Sequence, residues 1–475
     1  MAVSNEPTRE ELYAIIAAQQ KTIDRLTAEV ADLKNQVKEL KEQLGKNSHN
    51  SSKPPSSDGY EKPAPKSQRK KSGKKAGGQN GHKGHHMALD SFDRTERIYP
   101  SHCINCPHRE KCVKLRVCDT CYTTDIIVNK ETVRYQMLEC NCNGVHAAAE
   151  RPFGIKGTVT YGKNLKALVC VLSTNGMVAM KNLCEIVAGL TGIKPSVGTV
   201  VNMLKSAADT AKPIVSSYPQ KLYEFPVVNS DESGIFINGK LHWAHVICTD
   251  NMTYYALSEK RGTQAMRDID FLPNYQGIVV HDFWMSYFKA TDAKHAMCGA
   301  HLLRELTGIY ENHPDQTWAK DMYHQLLDMC RAADFYNQHP DIGSRKQYMD
   351  CMKRAYDEIV ASALTQNPLA EKAEGKKGRP RRGKIRALID RLLEYKDEVC
   401  RFADNPLVPF TNNQAERDLR MIKVKNKVIG CFRSSEGARN FLTQKSFTST
   451  AAKNGVTAFQ ALLALFSGHA VFGTE

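Results

Sequence analysis

Apolar residues return every seven positions near the start of the chain, at Ile16, Ile23, Val30, Val37 and Leu44. Leu12, Leu26, Leu33 and Leu40 form a second row three residues after an a position, with Gln19 its one polar member. A period of seven held over five heptads, with β-branched residues at most a positions and Leu at d, predicts a helix that pairs with a second copy as a parallel two-stranded coiled coil. Glu29 at g and Lys34 at the following e are placed to pair across the strands, and Gly45 ends the pattern.

Beyond Gly45 the periodicity stops. KNSHNSSKPPSSDG and KPAPKSQRKKSGKKAGGQNGHKGHH contain almost no apolar residue, so 46–92 cannot bury enough surface to offset its ordering entropy and is expected to be a basic disordered linker. Eight Lys or Arg between Lys62 and Lys83, against the single acidic Glu61, suit it to tracking phosphates. From 151 to 220 apolar spacings of three and four predict helices. The break at TGIKPSVGT, with Ser196 or Thr199 near the next helix start, fits a helix-turn-helix or an ordinary helical hairpin.

The period then changes to two. PVVNSDESGIFING, LHWAHVICTD and MTYYALSEKRG read as an antiparallel meander with turns at NGK and TDN, and QGIVVHDFWMSYF supplies a fourth, buried strand. After Asp292 the pattern is mostly helical to about 405 and includes the basic loop EGKKGRPRRGKIR. The expected organisation is therefore a coiled coil over 1–45, the linker, a cysteine-rich module over 93–150, a helical region over 151–220, an α/β domain over 221–440 with a helical insertion about 292–405, and a helical segment over 441–475.

A length of 475 residues agrees with several domains. A formal charge of +15 adds a polyanionic partner, nucleic acid or an anionic membrane surface. Apolar runs such as ALVCVL and ALLALF fall far short of the roughly 20 residues that span a bilayer, and MAVSNEPTREEL lacks the form of a signal peptide, so the expected location is the cytoplasm. Seven of the fifteen cysteines fall between Cys103 and Cys142. Paired spacings at Cys103/Cys106 and Cys118/Cys121 match a four-thiolate Zn2+ site, and Cys140/Cys142 can replace either pair.

Asp231 lies in the first strand, Asp282 directly after the fourth, and Glu416 at the head of a late helix. Phosphodiester chemistry without a covalent intermediate needs charge neutralised on both attacking and leaving oxygens, which two Mg2+ (or Mn2+) ions roughly 4 Å apart supply. Such hard ions take oxygen ligands, hence carboxylates. On a helix, Glu416, Arg420, Lys423 and Lys427 share a face while Ala415, Leu419 and Ile422 form a stripe that packs inward. The carboxylate can then meet metal while Arg417, Arg420, Lys423, Lys425, Lys427 and Arg433 meet phosphates. Glu232 should point to the opposite face of its strand, His281 reads as structural, and Cys298 and His301 read as helix-packing residues with metal-ligand chemistry in reserve.

NSDESG, VVHDFWMSY, CGAHLLREL and PFTNNQAERDLRMIKVKNKVIGCFRSSEGA together resemble the transposases of the insertion sequence 66 family. GGQNGHKGH, KGTVTYGKNLKALV and KNSHNSSKPPSSDG extend the resemblance over essentially the whole chain, and NNQAER with its basic continuation is its most specific part. It implies a ribonuclease H-like mixed-sheet core within a multidomain α/β protein, Asp231, Asp282 and Glu416 as a metal-binding triad with two Mg2+ or Mn2+, and the long helical stretch as an insertion before the last core helix. It further implies a DNA transposase acting on terminal inverted repeats and target DNA in the cytoplasm of a bacterium, on the nucleoid, as a homodimer or higher oligomer, with accessory proteins as candidate partners. The family's second C-x2-C stands some thirty residues after its first, whereas here CNC is distal and CDTC intervenes. Two alternatives share these residues: a ribonuclease H-like nuclease such as a junction resolvase, and a zinc-containing DNA-binding regulator without activity.

Overall fold

The computed structural model describes residues 8–47, 50–51, 91–142, 145–152, 154–155, 157–369 and 383–469. The basic run Lys62–Lys83 and most of the basic loop at 374–386 lie outside them. The chain divides into two compact units, Pro65–Thr132 and the remainder. Described residues of the smaller unit carry short 3-10 turns at Ser101–Cys103 and Arg109–Lys111.

In the larger unit α1 (Arg9–Leu44) opens with a capping box, in which Thr8 Oγ1 accepts from Glu11 N and the Glu11 carboxylate accepts from Thr8 N at 2.8 Å. With no Gly or Pro inside, it runs 36 residues, about 54 Å at 1.5 Å per residue. A small hairpin, β1 (Glu139–Cys142) and β2 (Val145–Ala148), follows. Next come α2 (Lys163–Thr174), α3 (Met180–Thr191), α4 (Val197–Ser216) and α5 (Tyr218–Leu222). Gly192 at φ +68° ends α3, and Ser196 caps α4 by accepting from Thr199 N, so the helix–turn–helix outline lies where TGIKPSVGT breaks the pattern.

The central sheet holds β3 (Val227–Ile237), β4 (Lys240–Cys248), β5 (Thr253–Ser258), β6 (Ile278–His281) and β7 (Lys294–Met297), with α6 (Thr263–Ile269) between β5 and β6. Its order is β5-β4-β3-β6-β7; the first three strands run antiparallel, and β6 and β7 run parallel to β3. Asn238 and Gly239, both at positive φ, close the two-residue turn from β3 to β4. Strand β7 falls in the stretch expected to be helical from 292; four residues are too few to show a period of two.

Helices α7 (Gly299–Asn312), α8 (Thr317–Gln338), α9 (Arg345–Gln366), α10 (Lys384–Glu394) and α11 (Lys396–Asp404) form the expected helical stretch. Trp318, Met322, Leu326, Tyr356, Leu388 and Leu392 pack in one apolar core with Ile278 and Val280 of β6, so these helices extend the sheet's own core. The chain ends in α12 (Asn413–Ile429), α13 (Ser435–Lys453) and α14 (Ala458–Ser467). Ala415, Leu419 and Ile422 of α12, the predicted inward stripe, are fully buried against Ile235, Ile237, Val246 and Phe441. Helix α13 runs through the boundary expected at 440, and its Phe447 joins Ala167, Ala207 and Ala211 of α2 and α4 in a common core with α14. The opposite sheet face is covered by Phe271, Tyr275 and Tyr287. No described helix is long and apolar enough to cross a membrane.

Candidate active site

Val227, Val228 and Asn229 of β3 pair in parallel with Ile278, Val279 and Val280 of β6. Asp231 stands two residues past Asn229 and Asp282 two past Val280, just beyond the end of β6, so the two aspartates lie at the same level of neighbouring strands, and the Asp282 charge acts on Asp231. Burial, then the neighbouring Glu232 and Asp282 charges, push the Asp231 carboxyl up to about 8, against a hydrogen bond from Glu232 N at 2.8 Å. Asp282 is pushed up to about 6 by burial and Glu232, against a hydrogen bond from Trp284 N and the charge of Arg261. Two carboxylates held this way gain from a nearby cation.

Glu232 lies on the other face, as alternation requires. There Arg261 donates to its Oε1 from Nε at 2.9 Å and Nη2 at 2.6 Å, and Tyr287 donates to Oε2 at 2.6 Å. The Arg261 guanidinium stacks between Trp243 and Trp284, 4.8 and 4.2 Å from the ring centroids. His281 is structural: its ring stacks on Tyr287, and its Nε2 shares a 3.0 Å hydrogen bond with His295 Nδ1.

The third carboxylate arrives on α12, whose start is fixed by Asn412. Asn412 is buried, accepts from Asn229 Nδ2 and donates through its own Nδ2 to Ser230 O, both at 2.8 Å. That clamps the helix beside the residue preceding Asp231. Glu416 stands one turn further on, its N donating to Asn412 O, where a carboxylate is favoured by the helix dipole. Lys423, two turns along, acts electrostatically on both Asp231 and His301.

Glu416 meets the start of α7. Gly299 N donates to Phe410 O, and a Cβ at Gly299 would lie 2.3 Å from the Phe410 ring, so only glycine permits the approach. The adjacent Cys298 Sγ accepts from Asn412 N at 3.2 Å, and burial pushes this thiol up to about 11. His301 Nδ1 lies 3.8 Å from Glu416 Oε1, and both atoms are buried without a hydrogen-bond partner among the described residues. Burial and the charges of Arg304 and Lys423 lower the His301 ring to about 4, so it is neutral at pH 7. Among the described residues, Cys298, His301 and Glu416 are the group of three whose metal-ligating atoms lie within 4.8 Å of one another. The spacing C-x-x-H carried the signal; its nearness to Glu416, more than a hundred residues away, was not visible in it.

Arg417, Arg420, Lys423, Lys427 and Arg433 are exposed on and after α12. Lys425 is not available to phosphates: it is 2 % exposed, its Nζ donates to Ser173 O at 2.8 Å, and it sits over the Phe441 ring. Burial lowers it to about 8. Cys103, Cys106, Cys118 and Cys121 fall in the smaller unit, and Cys140 and Cys142 on β1 in the larger. Among the described residues of the smaller unit, Cys103, Cys106, Cys118 and Cys121 include no group of three within reach of one ion.

A family model described as "Transposase IS66 family" matches residues 158–440, more than half of the chain. A second, described as a family of unknown function (DUF6444), matches residues 3–88. No curated relative matches the chain.

Proposed function

The chain belongs to the IS66 family of transposases, and from that membership we propose that it cuts DNA at the ends of an insertion sequence and joins the freed 3′ end to target DNA. Asp231, Asp282 and Glu416 are the carboxylates of this reading. The observation that carries it is the parallel register of β3 and β6, which supports Asp231 and Asp282 as neighbours at one level of the sheet, next to the β3 face against which α12 packs. The strand order, three antiparallel strands followed by two parallel to the first, supports a ribonuclease H-like core.

The donor set is all oxygen, and burial together with the nearby Glu232 charge raises both aspartates, so a hard divalent cation that neutralises them is favoured. Mg2+ or Mn2+, held by Asp231, Asp282 and Glu416, would supply charge neutralisation at the reacting phosphate. The chain's own residues do the rest. Arg417, Arg420, Lys423, Lys427 and Arg433 hold phosphates on either side of the scissile bond and carry little sequence information. Water is the first nucleophile and the released 3′-hydroxyl the second. The Arg261–Glu232 pair braces the strand behind Asp231 and keeps the second carboxylate turned away from the reacting face.

Terminal-repeat recognition falls to the cysteine-rich module, with one structural Zn2+, and to α2–α4; self-association falls to α1. Asp231→Asn, Asp282→Asn and Glu416→Gln are each expected to reduce magnesium-dependent cleavage and strand transfer on cognate ends to background, and chelation should do the same to the wild type. Full activity in any one of the three variants would refute the triad. Cleavage without joining would favour a resolvase.

A further inference from the structure

We propose that Cys298, His301 and Glu416 form a binding site for a borderline divalent ion of the zinc class, separate from the aspartate pair and sharing with it only Glu416. The three donors come from two elements brought together by the Gly299–Phe410 contact. His301 Nδ1 and Glu416 Oε1 are buried, face each other at 3.8 Å, and have no hydrogen-bond partner among the described residues. A buried donor or acceptor without a partner is costly, and two facing atoms of this kind mark a place where a third species is bound. That distance is too long for a direct hydrogen bond. It is close to the roughly 3.4 Å that separates two ligands of a tetrahedral zinc with bonds of about 2.0–2.3 Å, and the 4.8 Å bound on all three atoms closes to that spacing with small rotations.

Chemistry selects the ion. Sulfur and imidazole nitrogen reject magnesium and calcium and favour zinc, cobalt and related ions. A thiolate, a carboxylate and a neutral imidazole cancel a 2+ charge, so the buried set is neutral once filled. Asn412 N donates to Cys298 Sγ at 3.2 Å, the kind of contact that favours a thiolate at a helix start. Three protein ligands leave a fourth position open. With Oε1 turned to His301, Oε2 is the oxygen left for the aspartate centre. Filling the site thus fixes the Glu416 carboxylate; that consequence for catalysis rests on the function proposed above, whereas the binding does not.

Cobalt(II) titration of the full chain tests it, read by thiolate-to-cobalt charge transfer and by the number of equivalents bound. The cysteines between 103 and 142 contribute their own bands, so the readout is the difference from Cys298→Ser. Wild type minus Cys298→Ser is expected to show a charge-transfer band and one extra equivalent, His301→Asn to lose the same equivalent, and Asp231→Asn to retain it. Equal spectra and equal stoichiometry for wild type and Cys298→Ser overturn the proposal, as does loss of the band in Asp231→Asn. Should Cys298→Ser fail to fold, His301→Asn decides alone, because that side chain is partly exposed. Failure of Asp231→Asn to impair cleavage would sink the catalytic reading and leave this result standing.

Discussion

His245 stands opposite Glu232 in the β3–β4 ladder, buried, with no hydrogen-bond partner for Nε2 among the described residues. Burial and the neighbouring Arg261 lower it to about 4. The unfolded chain therefore takes up this proton near pH 6.5 and the folded chain only near 4. Stability from this residue is complete above pH 6.5 and is lost as pH falls toward 4, by about 1–3 kcal/mol. Asp231 and Asp282, raised rather than lowered, work in the opposite sense, so the comparison must be between wild type and His245→Gln. Urea unfolding of the two at pH 7 and pH 4.5 is expected to show the smaller acid loss in His245→Gln; equal losses would mean the ring is solvated. Single residues were the least legible feature of the sequence. Helical spacing alone sets Lys425 among the surface cations, since a lysine is usually solvated, whereas its burial depends on Ser173 O, 252 residues away. The placement of Glu232, by contrast, followed from strand alternation alone.

Helix α12 shows how one element carries the site. Its inward stripe and its exposed cations were readable from 3.6-residue spacing, but what anchors it was not. Asp418 accepts from Lys453 Nζ of α13 at 2.8 Å and from Thr253 Oγ1 of β5 at 3.0 Å, both partners of the ion pair being 12 % exposed. Tyr255 donates to Asp418 O at 2.8 Å. The pair locks α12 to the sheet a half-turn from Glu416. Asp418→Ala leaves the Lys453 ammonium enclosed without its counter-ion and is expected to cost about 3–5 kcal/mol. Asp418→Ala combined with Lys453→Met should recover much of that loss, which a denaturation double-mutant cycle measures; a loss under 1 kcal/mol in the single variant would show that the pair is solvated. The strands of the meander were legible because each runs six residues or more, rich in β-branched and aromatic residues between turn residues. β7 was not, being four residues long with three of them buried.

At the scale of the molecule, α1 carries a row of apolar residues that the described residues leave largely uncovered. Leu12, Ile16, Ile23, Leu26, Val30, Leu33, Val37 and Leu40 are each 46–58 % exposed. A single helix that carries an apolar seam along its whole length gains only by pairing, since fully burying each such side chain is worth about 1.5–3 kcal/mol. The seam has the heptad period, and the β-branched residues at most a positions select two parallel strands. On the function proposed above, two copies joined this way would bring two carboxylate centres into one assembly. Light scattering on the full chain carrying Ile16→Lys, Ile23→Lys and Val30→Lys should give half the wild-type mass, because three buried lysines per strand repel across the seam. The α/β domain around the central sheet is untouched by these changes, so its melting transition should stay where it is. An unchanged mass would place the association elsewhere in the chain and leave the stripe on α1 to a different partner.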